Sequence, residues 1–167
     1  MLATHHLAAG DIRSITALVH QAAIDVLGPV TDPRTVHQAK FSMGTVLGLI
    51  AVYGRAGLDE FDASWRDPAV RAVHDKVAME LDAEVDAAYP VRWIGKVVVE
   101  TVDGRHLEGK VLEPKGDPGN TLSRAEIEDK ALRLALYREG ATQGEMRRVI
   151  ERVWSLADAP VVTPFLA

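Results

Sequence analysis

Val102-Asp103-Gly104 divides two stretches of alternating apolar residues, and it constrains the fold more than any other feature of the chain. The stretch from Arg92 to Leu112 reads as a β-hairpin, and its turn length can be argued from which face is buried. A two-residue Asp-Gly turn would set the Val97/Val99/Thr101 face opposite His106, Glu108 and Lys110. A three-residue loop with Gly104 left-handed sets it opposite Arg105, Leu107 and Gly109, with Val111 next on that face. A slip of one residue moves every side chain to the other side of the sheet, so the apolar match selects the three-residue loop.

Upstream, Ile12 to Val19 alternates Ile15, Ala17 and Val19 with Ser14, Thr16 and Leu18, as expected of a strand with one well-buried face. Gly28-Pro29 and Asp32-Pro33 mark a loop. From Thr35 the period changes. Val36, Ala39, Met43, Val46, Leu47 and Ile50 fall at helical spacing, which predicts one helix running to about Tyr53. Gly44 and Gly48 would weaken it by roughly 1 kcal/mol each relative to alanine, so close approach of another backbone is the better reason for them. Asp67-Pro68 predicts a helix start, with Val70, Val73 and Val77 as the buried stripe.

Beyond Pro114 to Asn120 the chain reads as wholly helical. Ser123 with Glu126, flanked by Leu122 and Ile127, forms a capping box with its staple, and Thr142 with Glu145 repeats the box. Met146, Val149, Ile150, Val153 and Trp154 make a broad apolar stripe. Asp158 to Ala167 is expected to be a loosely held tail. The fold class is therefore α+β: a small antiparallel sheet packed with helices over residues 1–115, then a C-terminal helical pair over 116–167.

Composition excludes several functions. No cysteine is present, which rules out a disulfide framework, thiolate catalysis and Cys-ligated zinc. Acidic residues outnumber basic ones 24 to 19 and the basic ones are scattered, so nucleic acid is not an expected partner. The longest apolar run, Met43 to Tyr53, is too short to cross a bilayer, and no secretory signal is evident at Met1 to His6. The expectation is a soluble, cytoplasmic chain.

Few residues carry recognisable chemistry. Lys40 falls about one turn into the predicted helix, where the dipole favours anions over cations. It reads either as a carboxylate contact acting with exposed backbone N–H groups, or as a surface lysine whose stem covers Val36. Ser42 reads as a second donor there or as a helix-packing hydroxyl beside Gly44 and Gly48. His37, on the same helical side as Lys40, reads as an acid/base or anion contact or as an exposed first-turn residue. His5 and His6 are weak metal candidates, and His20, His74 and His106 have no partner that the sequence names. Asp59, Glu60 and Asp62, and the series Glu80, Asp82, Glu84 and Asp86, match no calcium loop and read as a solvated acidic surface. No metal site is expected.

Certain blocks in order are more specific. These are Gly10-Asp11-Ile12, Ala39-Lys40-Phe41-Ser42, Gly57-Leu58-Asp59-Glu60-Phe61, Asp67-Pro68-Ala69-Val70-Arg71, Tyr89-Pro90, Pro114-Lys115-Gly116-Asp117-Pro118 and Leu122-Ser123. Together they resemble the C-terminal part of MmgE/PrpD-type enzymes, a family that includes 2-methylcitrate dehydratase, cis-aconitate decarboxylase and iminodisuccinate epimerase.

The resemblance implies an α+β cap domain whose final helices return to a large helical domain. It implies proton abstraction next to a carboxylate of a small di- or tricarboxylate, followed by loss of water, loss of carbon dioxide or inversion, without a cofactor. It assigns substrate contact to Lys40 and Ser42, with His37 nearby. The family's main acid–base groups lie in the helical domain and in a Lys-Pro-Tyr-Pro-like stretch ahead of this segment, and neither has a counterpart here. Some relatives carry histidine where Phe41 stands and an aromatic near Thr45. Two readings stay open: the C-terminal portion of such a lyase or isomerase, needing a helical-domain partner or a homo-oligomer, or a non-catalytic assembly or binding module that reuses the fold.

Overall fold

Nine α-helices and four strands, with three short 3-10 turns, make up the regular structure of the described residues, 1–161, of the computed structural model. In chain order they are α1 (Leu2–His5), β1 (Ile12–Val19), α2 (Gln21–Leu27), α3 (Val36–Lys40), α4 (Met43–Tyr53), α5 (Leu58–Ala63) and α6 (Pro68–His74). These are followed by β2 (Val77–Leu81), α7 (Ala83–Ala88), β3 (Gly95–Thr101), β4 (His106–Val111), α8 (Arg124–Leu136) and α9 (Gln143–Ser155). The chain is α+β and divides into two compact units, Met1–Gly119 and the residues from Asn120 onward.

The hairpin has the expected register. Val99 faces Leu107, Val97 faces Gly109, and Gly95 faces Val111. Gly104 takes φ +84°, the left-handed conformation that glycine adopts without steric cost. The turn closes on Thr101, whose Oγ1 accepts the Arg105 N–H at 2.9 Å.

The sheet order is β2-β1-β3-β4. β1 pairs antiparallel with β3 but parallel with β2, so the sheet is mixed rather than wholly antiparallel. The helical stripe predicted through Val77 also needs correction. α6 stops at His74, and Val77 opens β2 opposite Ile15. A spacing of three and four residues is helical, yet the Lys76 carbonyl accepts the Ile15 N–H at 2.9 Å and its Nζ donates to the Ile12 carbonyl at 2.7 Å. Those long-range bonds outweigh the local period.

Two apolar clusters make the core of this unit. Leu7, Ile12, Ile15, Val73 and Val99 fill one; Ala39, Leu49, Phe61 and Val70 fill the other. α4 lies close against α6 because Gly44 and Gly48 carry no side chain. A Cβ on Gly48 would stand 2.6 Å from the Val70 carbonyl oxygen, and one on Gly44 would stand 2.8 Å from the His74 ring. This is the close approach that the two glycines predict.

The second unit consists of α8 and α9. Both capping boxes form: Ser123 Oγ accepts the Glu126 N–H at 3.3 Å and Thr142 Oγ1 accepts the Glu145 N–H at 3.2 Å. Arg124 lies over the Trp154 ring, 4.6 Å from its centroid. Met146, Val149, Ile150 and Trp154 are half-buried, whereas Val153 is 45% exposed. No described residue of this unit is fully buried. The expected tail overlaps residues 162–167, which lie outside the described residues.

Candidate functional site

The predicted helix from Thr35 to Tyr53 is two helices, and the break falls at the residues singled out for chemistry. Thr35 caps α3, its Oγ1 accepting the Gln38 N–H at 3.1 Å. α3 ends at Lys40; Phe41 leaves helical geometry at φ −101° and ψ 11°. Ser42 then starts α4 as its N-cap, Oγ accepting the Thr45 N–H at 3.3 Å. The signal was present in the sequence, because serine competes for backbone groups inside a helix and favours its start.

The break changes what Lys40 does. It ends α3 instead of lying one turn into a longer helix, so the dipole there favours its charge. Its side chain is exposed, with Nζ 5.8 Å from the Phe61 ring centroid. Ser42 is 1% exposed and is held by its cap. His37 is exposed and tilts against Phe41, ring centroids 5.0 Å apart.

These three residues do not converge. Ser42, Met43 and Gly44, at the start of α4, open on a cavity of about 380 Å³ that His74, Thr31 and Asp75 also line. His37 and Phe41 face a separate hollow of about 230 Å³ beside Val26 and Val30. Lys40 lines neither.

His74 is the titratable ring at the larger cavity. Its Nε2 donates to the Thr31 carbonyl at 3.0 Å, so in the neutral ring Nδ1 accepts from Thr45 Oγ1 at 3.2 Å. A hydroxyl beside a histidine suggests nucleophile and base, but Thr45 is only 1% exposed and a backbone carbonyl stands where a carboxylate would orient the ring. The arrangement ties α4, α6 and the preceding loop together.

Asp59, Asp62, Glu80, Glu84 and Asp86 are exposed, as a solvated surface requires, and Glu60 and Asp82 are the exceptions. Glu60 is 8% exposed and accepts from Arg55 Nε at 2.6 Å and from the Gly57 N–H at 2.9 Å. Asp82 caps α7 and binds Lys96 at 2.7 Å; the Lys96 ammonium, with the Val85 and Glu84 N–H groups, holds its carboxyl below the usual range. Glu84 pairs with Lys110, and Asp86 accepts the Gln21 N–H at 2.9 Å. Among the described residues no group of three or more His, Cys, Asp or Glu side chains is placed to hold a metal ion.

Sequence reasoning missed the surroundings of His20. It caps α2, Nδ1 accepting the Ala23 N–H at 3.1 Å, and stacks on Tyr89 at 4.0 Å with Trp93 edge-on at 5.8 Å. His20 and Tyr89 are far apart in the chain, and nothing local pairs them.

The model of the MmgE/PrpD C-terminal domain matches residues 1–156. The chain belongs to that family. No curated protein matches it. In this MmgE/PrpD C-terminal domain, the Lys40-Phe41-Ser42 block is thus the junction between two helices, with the cation outside and the hydroxyl inside. No helix among the described residues is long and apolar enough to cross a membrane.

Proposed function

We propose that this chain is the C-terminal portion of an MmgE/PrpD-type lyase or isomerase, acting on a small di- or tricarboxylate by proton abstraction next to a carboxylate. Lys40 contacts a substrate carboxylate, Ser42, buried and bound to its own helix, assists by starting α4, and His37 is an anion contact at the neighbouring hollow. One observation carries this reading. The α3–α4 junction leaves the Lys40 ammonium exposed two residues ahead of a helix start, where the Met43 and Gly44 N–H groups have no acceptor within the helix. A partner chain carrying the helical domain, or a second copy, supplies the groups that move protons. His74 does not, because both its nitrogens are engaged within the fold. The chain acts in the cytoplasm, away from nucleic acid and membrane.

Calorimetry of the purified chain with cis-aconitate and 2-methylcitrate tests the reading. Weak saturable binding that Lys40→Ala abolishes is expected, with no turnover of either compound. Turnover by the chain alone, or binding indifferent to Lys40, would overturn it.

A second reading, a non-catalytic assembly module, is favoured by the second unit, which exposes Leu134, Leu136 and Val153 and buries no described residue fully. Light scattering separates the two. A well-folded monomer at all concentrations counts against assembly through these helices.

A further inference from the structure

Three arginines from separate segments wall one small cavity: Arg34 in the loop before α3, Arg66 in the loop before α6, and Arg71 on α6. The cavity measures about 220 Å³, and Trp65 and Thr45 form part of its floor. Asp32 is its only acidic lining residue, and with Asp75, which pairs with Arg71 from outside the lining, three cations stand against two anions on a chain whose net charge is −5.

The guanidinium groups are positioned. Asp32 accepts from Arg34 at 2.5 Å and from Arg71 at 3.1 Å, and Arg71 Nε reaches Asp75 at 2.8 Å. Arg66 lies over the Trp65 ring, 4.3 Å from its centroid, and donates to the Arg34 carbonyl at 3.0 Å. Each guanidinium has five N–H donors. The contacts above use one from Arg34, one from Arg66 and two from Arg71. Gathering like charges raises the local potential, and planar guanidinium forks match the paired oxygens of a carboxylate or phosphate.

We propose that this cavity binds a small oxyanion carrying two negative charges, a phosphate or a short dicarboxylate. Lys40 is not part of it, so the site is separate from the one assigned above.

The Trp65 indole N–H, assigned in the full chain by its loss in Trp65→Phe, reports binding. The labelled chain is titrated with inorganic phosphate and, separately, with succinate at constant ionic strength. The expected result is a saturating shift, with affinity about ten-fold weaker in Arg71→Gln and in Arg34→Gln. Lys40→Gln leaves the affinity unchanged, which distinguishes this site from the Lys40 contact. Saturation with phosphate alone assigns a phosphate ligand, and saturation with succinate alone assigns a dicarboxylate. A linear drift that chloride reproduces, or full affinity in both arginine variants, overturns the site. Arg34 is 79% exposed at its side chain, so its variant remains informative if Arg71→Gln fails to fold.

Discussion

The missing side chain of Gly48 lets α4 touch the backbone of Val70, where an added Cβ would stand 2.6 Å from the carbonyl oxygen. Helix propensity alone favours alanine there by about 1 kcal/mol. Overpacking against a backbone atom costs about 1–3 kcal/mol and cannot be relieved by a rotamer change. Gly48→Ala is therefore expected to lower stability in urea unfolding. A gain in stability would show that α4 and α6 separate without loss.

Ser42→Ala removes the α4 cap, with an expected loss of about 1 kcal/mol by thermal or urea denaturation. Lys40→Ala, at an exposed position, should change stability by less than about 0.5 kcal/mol. The pair separates roles. Ser42 acts first on the fold, whereas any effect of Lys40 on ligand binding is an effect on the ligand.

Gly104→Ala places a side chain at φ +84°. The left-handed conformation costs an L-residue about 1–2 kcal/mol, so the variant should unfold at correspondingly lower urea concentration. If it matched the native chain, the three-residue loop would have another conformation open to it.

The Asp82–Lys96 contact sets a pH dependence. The Asp82 carboxyl is depressed from its ordinary value near 3.8, chiefly by the hydrogen bond from Lys96. A depressed carboxylate contributes stability that is full above its unfolded-state pKa and is lost as pH falls through the folded one. Lys96 is raised above 10.5 by the same hydrogen bond, so its contribution is full below that value and is lost as pH rises through the folded pKa. Asp82→Asn should flatten the acid limb of a stability profile, and an unchanged acid limb would exclude this pair as its cause.

The features legible in the sequence are those whose partners lie within a few residues. The hairpin register followed from which face must be buried, and both C-terminal capping boxes from a hydroxyl three residues ahead of a glutamate. β2 was hidden because Val77 continues a helical spacing, and only its pairing with Ile15 shows it to be a strand. The candidate residues could be named from the sequence, but their geometry could not. Lys40, Ser42 and His37 are adjacent in sequence, but the junction at Phe41 turns one outward and one inward. The arginine-walled cavity had no linear signal, since Arg34, Arg66 and Arg71 meet only once α4 and α6 have packed.

The position of β1 in the sheet has a consequence for synthesis. Its two neighbours are Val77–Leu81 and Gly95–Thr101, so β1 has no sheet partner until the chain has grown past Leu81. A polypeptide leaving the ribosome carries Ile12 and Ile15 without their sheet neighbours for most of the translation of this unit. The β3–β4 ribbon closes over a short span and can form first, giving β1 a template to join.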